Sequence, residues 1–189
     1  MIIKVKKFVY KGAYKMTRLI KGALLLMATV LLLSACSANV KEEQKATNDK
    51  VTAAFNAAPK KANKKNKDIQ FYLPFGYEIN EETPNNIMLK NGAKTYILFY
   101  NQQEATNSEI VYNATINTKQ KFQYNKTLKK DDLFGYLLIR ELDDKLQEVT
   151  VGVGGVKVTT KTKLKSMKTD AEIMMQIAKS VKNIEVKEK

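Results

Sequence analysis

The sequence predicts an α+β domain: an antiparallel β-sheet, ending in a C-terminal three-stranded meander, with a C-terminal helix packed on the meander's apolar face. Three observations predict it. Residues 120–165 contain strand-like runs separated by turn signals, above all Val153-Gly154-Gly155-Val156. The residues that follow switch to helical spacing, with Ile173, Met174, Ile177, Val181 and Ile184 on one stripe. The 189 residues are 44% hydrophobic and 28% charged, which suits one globular domain plus some polar chain.

The amino-terminal segment comes first. Lys4, Lys6, Lys7, Lys11, Lys15, Arg18 and Lys21 precede Cys36, and no acidic residue does. Residues 16–36 read MTRLIKGALLLMATVLLLSAC: a basic entry, an apolar run from Ala23 to Leu33, then small residues. This is the three-part pattern of a secretory signal peptide over residues 1–35, with Met16 as the expected translation start. The apolar run is shorter than the roughly 18–20 residues of a transmembrane helix. Its end, Leu33-Ser34-Ala35-Cys36, resembles the lipobox of bacterial lipoproteins. The resemblance implies a diacylglyceryl group on the Cys36 thiol, cleavage before that residue, and a protein held on the outer face of the cell membrane by lipid.

Residues 36–68 are expected to form a flexible, lysine-rich tether, since the chain there is polar and lacks a sustained apolar stripe. Val51, Ala54, Phe55 and Ala58 offer one weak helical face ending before Pro59. Lys60, Lys61, Lys64, Lys65 and Lys67 suit either a solvated spacer or attraction to anionic headgroups and wall polymer.

The folded domain is expected over residues 69–186. Phe71, Leu73, Phe75 and Tyr77 alternate around Pro74, and Gly76 marks a bend between two short strands. Ile87–Lys90 and Thr95–Tyr100 suit a hairpin around Asn91-Gly92, with Tyr96–Tyr100 central in the sheet. Residues 101–118 leave a loop, a short strand at 110–112 and a helical turn open. The glycine turn sets Val153 against Val156, Val151 against Val158, Val149 against Thr160 and Glu148 against Lys161. A two-residue turn at Asp143-Asp144 would set Leu138 against Val149, Tyr136 against Val151 and Phe134 against Val153, all on the same apolar face. Thr169 and Glu172 have the spacing of a capping box at the start of the last helix.

Phe71-Tyr72-Leu73-Pro74-Phe75-Gly76-Tyr77, together with Ile177-Ala178-Lys179-Ser180-Val181, weakly resembles the Mog1/PsbP-like domains. That resemblance implies a binding or accessory role and no catalytic residue.

Chemistry is sparse. Histidine is absent and Cys36 is the only cysteine, so the usual proton shuttle, an internal disulfide and thiolate metal clusters are all missing from the toolkit. No catalytic residue, metal site or cofactor is expected, and the chain reads as non-enzymatic. Ser166 between Lys165 and Lys168 suits an exposed strand end better than a Ser–Lys pair. Asp131-Asp132 and Asp143-Asp144 suit turns, and Gly152, Gly154 and Gly155 join strands rather than opening a phosphate loop. Of 33 basic residues seven precede Cys36, leaving 26 against 19 acidic ones. That moderate excess makes no case for nucleic acid. Lys157, Lys161, Lys163 and Lys165 share one strand parity and are expected on one outward face. There they either guard an exposed strand or dock an acidic partner. The expected role is a membrane-anchored binding or accessory module for an envelope protein; the alternative is adhesion to anionic wall polymer or lipid.

Overall fold

The structure is a computed structural model that describes residues 39–142 and 146–184. The expected signal segment, Cys36 and the expected Asp143-Asp144 turn therefore lie outside the described residues. The chain divides into two units, Met1–Glu42 and Glu43–Lys189. Of the first, residues 39–42 are described and are helical. The second contains the fold set out below.

Helix α1 covers residues 39–56. Within the second unit it buries Thr47, Val51, Ala54 and Phe55, a stripe at helical spacing. It stops short of Pro59, whose ring disfavours helical backbone in the residue before it. The tether expected over residues 36–68 is thus corrected: from Glu43 onward the chain belongs to the domain. A narrow stripe suffices because its partner is bare backbone. A Cβ on Gly135 would stand 2.5 Å from the Phe55 ring, so only glycine lets the ring settle on the sheet there.

Seven antiparallel strands form the main sheet. They are β3 (Glu78–Thr83), β4 (Asn86–Asn91), β5 (Lys94–Tyr100), β6 (Tyr124–Lys130), β7 (Leu133–Glu141), β8 (Leu146–Val153) and β9 (Val156–Lys163). Their order across the sheet is β3-β4-β5-β9-β8-β7-β6. A small second sheet places β2 (Ile69–Phe71) between β1 (Lys64–Lys65) and β10 (Lys182–Asn183). Two lysines of the expected tether are therefore an edge strand. The hairpin predicted around Asn91-Gly92 is present, with Asn91 opposite Lys94 and Gly92 at φ +57°. After β2 the chain turns at Pro74-Phe75-Gly76, closed by a Tyr77 N–H donated to the Pro74 carbonyl at 3.1 Å, with Gly76 at φ +82°. Phe71, Leu73 and Tyr77 point into the core, whereas Phe75 stands fully in solvent.

The β8–β9 register is the one the paired glycines dictate: Val153 faces Val156, Val151 faces Val158, Val149 faces Thr160 and Glu148 faces Lys161. The β7–β8 register differs by one residue from the expectation. Leu137 faces Val151, Ile139 faces Val149, and Tyr136 faces Gly152. The Leu142 N–H bonds the Leu146 carbonyl at 2.9 Å, so an odd three residues separate the closing pair rather than two. Because strand side chains alternate faces, that single step moves Phe134, Tyr136 and Leu138 to the opposite side of the sheet. They are not lost to water. Helix α2 (Ile110–Ile116) lies on that side, and Tyr112, Ile116 and Phe122 pack against all three as a second core. The stretch 101–118 thus resolves to a loop followed by a short helix.

Helix α3 (Met167–Ser180) packs across β8 and β9 on the main core face, as predicted, where α1 contributes too. Its start is corrected. A 3-10 turn at Leu164–Ser166 leads directly into Met167, so Thr169 and Glu172 lie inside the helix and cap nothing. Met167, Ala171, Met174, Met175, Ile177 and Ala178 are buried, and Ile173 is half-buried. Val181 and Ile184 fall beyond the helix, which hands over to β10. Among the described residues no helix is long and apolar enough to cross a membrane.

Candidate functional site

Strand β9 organises the outer face of the sheet. Val158, Thr160 and Thr162 turn inward and are buried, which sends Lys157, Thr159, Lys161 and Lys163 outward. Its neighbour β5 sets Phe99 beside Lys157 and Ile97 beside Thr159. On the other flank β8 sets Gly152, Thr150, Glu148 and Leu146 beside Lys157, Thr159, Lys161 and Lys163. The Thr150 and Thr159 hydroxyls bond each other at 2.9 Å and hold this seam together.

The predicted four-lysine row is only half realised. Lys165 leaves the strand for the 3-10 turn, so it does not share the face. Lys157 is half-buried: its Nζ reaches Thr115 Oγ1 of α2 at 3.4 Å and lies 5.4 Å from the centre of the Phe99 ring. Burial lowers the pKa of that ammonium, and the negative charge of Glu148 pulls it partly back. Lys161 and Lys163 remain exposed side by side in parity. Glu148, expected to meet Lys161, instead accepts from Arg140 at 3.1 Å (Nε) and 2.8 Å (Nη2), with both side chains largely buried. The opposition was legible in the sequence; the competing guanidinium, which grips a carboxylate with two donors, was not.

Helix α2 covers the β7–β8 side of this face and reaches Lys157 at the start of β9. Over β4, β5 and the rest of β9 no element lies on top among the described residues, and Ile97 is 45% exposed with Met88 and Phe99 half-buried. Ala93, Lys94, Thr95, Ile97, Thr159 and Lys161 line a shallow depression there, and the Arg140-paired Glu148 stands in its wall. An apolar floor beside the Lys161 ammonium, which has no ion-pair partner among the described residues, can receive a side chain or strand that carries carboxylates. Ile97 was missed by sequence reasoning because Tyr96–Tyr100 looks apolar on both faces, and which face stays open depends on where α2 lands.

The remaining polar candidates have structural roles. Asp131 takes φ +50° in the β6–β7 turn, and the Asp132 carbonyl accepts from the Thr106 hydroxyl at 3.1 Å. Ser166 sits at the N-terminus of α3 without making a side-chain cap bond. Gly154 and Gly155 are pressed under the 101–106 loop: a Cβ on Gly154 would stand 2.3 Å from the Ala105 carbonyl oxygen, and one on Gly155 2.7 Å from that of Asn101. Among the described residues no group of three His, Cys, Asp or Glu is placed to hold a metal ion.

One buried carboxylate stands out. Asp170, on the inward stripe of α3, accepts from Lys94 Nζ at 2.6 Å, Tyr96 Oη at 3.0 Å and Thr162 Oγ1 at 2.5 Å. These three donors come from β5 and β9, so Asp170 ties the helix to the sheet. The sequence signal was an acidic residue in register with Met167, Met174 and Ile177 on a stripe otherwise apolar; such a residue needs partners. No known protein-family profile matches this chain, and a search of curated proteins finds no similar sequence.

Proposed function

We propose that this chain is a lipid-anchored envelope protein, cleaved before Cys36, whose domain is a non-enzymatic docking module for an acidic envelope protein. The lipobox-like Leu33-Ser34-Ala35-Cys36 supports the anchor. The observation that carries the docking role is the open half of the outer sheet face, where exposed Ile97 lies near Lys161, with Lys163 further along the same strand face, and nothing among the described residues folds over it. Apolar contact supplies affinity at such a patch, and the flanking ammonium groups select an acidic partner and speed its approach.

A photo-crosslinking residue at Thr159, in intact cells, tests this reading. One dominant acidic protein should be captured, and Lys161→Glu with Lys163→Glu should abolish capture. Undiminished capture by the charge-reversed protein would refute the docking role. The mass of the N-terminal peptide from the same cells reports the anchor separately: a lipid-modified Cys36 supports it, an unmodified one removes it.

A second reading has one observation in its favour. Lys60, Lys61, Lys64, Lys65 and Lys67 are all exposed, and β1 holds two of them on the rim of the small sheet. A fixed cationic edge suits adhesion to anionic wall polymer. Binding to purified polymer that vanishes at high salt, without a protein partner, would favour this reading.

A further inference from the structure

The alternation of strands gathers one set of elements at a single end of the domain. There lie the start of β3, the β4–β5 turn at Gly92, the end of β9 and the first turn of α3. Lys94, at the start of β5, bonds Asp170 in that first turn. Glu43 joins them, since Lys168 at the start of α3 reaches its carboxylate at 3.5 Å. The Pro74-Phe75-Gly76 turn is at the same end: Gly76 lies 4.0 Å, from an ideal Cβ, to the Asn91 side chain, and Tyr77 packs on Tyr96 at 5.1 Å between ring centres.

Phe75 at that end is unlike the other aromatics. It is 104% exposed, beyond even the reference for a free residue, yet its turn is held firmly. Asn63 clamps Leu73 through both of its backbone groups, at 2.7 and 2.9 Å, and the Ser180 hydroxyl accepts the Tyr72 N–H at 2.8 Å. A rigid mount that presents a bare phenyl ring to water has no use inside the fold. Exposed Lys45, Lys163 and Lys165 stand at the same end. Of the described acidic groups there, Glu43 and Asp170 are paired, Glu42 is exposed, Glu78 faces Lys90 across β3–β4, and Glu141 lies towards the far β7 corner.

Chain length supplies the occupant. Cys36 precedes Glu43 by seven residues, which span at most about 25 Å in any conformation. A lipid on Cys36 therefore keeps this end of the domain close to the bilayer. We infer that the Glu43 end is a membrane-contact surface, on which Phe75 inserts at the headgroup–acyl boundary of an anionic bilayer and Lys45, Lys163 and Lys165 meet phosphate groups. The inference rests on the proposed attachment at Cys36. It leaves the open sheet face directed sideways, where a partner can reach it. Aromatic rings favour that depth of a bilayer, and each lysine near an anionic surface adds to the attraction.

The chain has no tryptophan and one cysteine, so both can serve as unique handles. The full chain carrying Phe75→Trp is coupled through Cys36 to maleimide lipid in vesicles of phosphatidylglycerol and phosphatidylcholine, some brominated along the acyl chains. Chemical coupling makes the result independent of whether cells lipidate Cys36, which peptide mass decides on its own. Blue-shifted emission that brominated lipid quenches supports the membrane-contact surface, and weaker quenching in the Lys45→Glu, Lys163→Glu, Lys165→Glu protein supports the lysines' part. Emission unchanged from that in water, without quenching, overturns it. Ile97→Trp in place of Phe75→Trp should stay unquenched; equal quenching at both positions would also overturn the proposed orientation.

Discussion

Tyr136 and Gly152 are directly opposite each other on β7 and β8, and the phenol ring lies over the bare Cα of the glycine. A Cβ on Gly152 would come within 2.3 Å of the ring. Both residues are buried beneath α2, so the ring has no room to retreat. Gly152→Ala should therefore destabilise the protein by about 1–3 kcal/mol, the range for overpacking a filled core. Urea unfolding monitored by circular dichroism checks this; a midpoint unchanged from the parent would show that the ring can move aside.

The same phenol carries a hydroxyl that is buried without a hydrogen-bond partner among the described residues. Thr115 is close enough to act on its ionisation, but the Thr115 hydroxyl donates to the Val111 carbonyl at 2.7 Å and does not complete a bond to the phenol. An unsatisfied buried hydroxyl costs free energy that phenylalanine avoids. Tyr136→Phe should leave stability unchanged or raise it by up to about 1 kcal/mol. A loss of stability in the same urea titration would show that the hydroxyl is bonded after all.

Asp170 predicts the opposite behaviour. Replacing it with alanine leaves the Tyr96 and Thr162 hydroxyls buried without their acceptor and detaches α3 from β5 and β9. A cost of about 3 kcal/mol is expected, since each orphaned group contributes its own desolvation penalty. Thermal unfolding of Asp170→Ala beside the parent checks it; a change within experimental scatter would mean that the network adds nothing.

Alkaline pH tests the buried phenols together. Burial, then Tyr77 and Asp170, raise the pKa of Tyr96 above its ordinary 10.0, and burial raises that of Tyr136. Both protons are held more tightly in the folded state, so their contribution is complete below about pH 10 and is lost as pH climbs beyond it. Lys157 and Lys179 act with the opposite sign, because burial lowers the pKa of each from 10.5 and the folded state gains as pH rises towards 10.5. The two phenols, with Tyr100 and Tyr124 shifted the same way, outnumber them. The urea midpoint should hold steady towards pH 9.5 and fall above about pH 10, and the fall should be shallower in Tyr136→Phe.

Phe55→Ala distinguishes a tether from a core helix. The ring fills the space above Gly135, and its removal leaves a cavity on the sheet. A loss of about 3–5 kcal/mol is expected, against none for a residue in a solvated spacer. Denaturant midpoints of the two proteins decide the matter.

Much of this protein was legible in its sequence wherever a signal acts over a few residues. Gly154-Gly155 accepts the tight turn, and the turn alone places Val149, Val151 and Val153 against β9 and gives Lys157, Lys161 and Lys163 their common parity. The strand-then-helix order and the helix on the meander followed in the same way, from periodicity. Tertiary structure decided what such signals leave degenerate. Leu133–Ile139 is apolar on both faces, so no local rule states which set meets the valines; the length of the loop after Leu142 and the arrival of α2 decide it. Thr47, Val51, Ala54 and Phe55 are too few to announce a core helix, and they become one because Gly135, some 80 residues further on, offers bare backbone to the Phe55 ring. The candidate site divides along the same line. Parity turns the lysines outward, but which of them stays exposed, and whether Ile97 lies open beside them, depends on how far α2 spreads over the sheet, a matter of packing between segments distant in sequence.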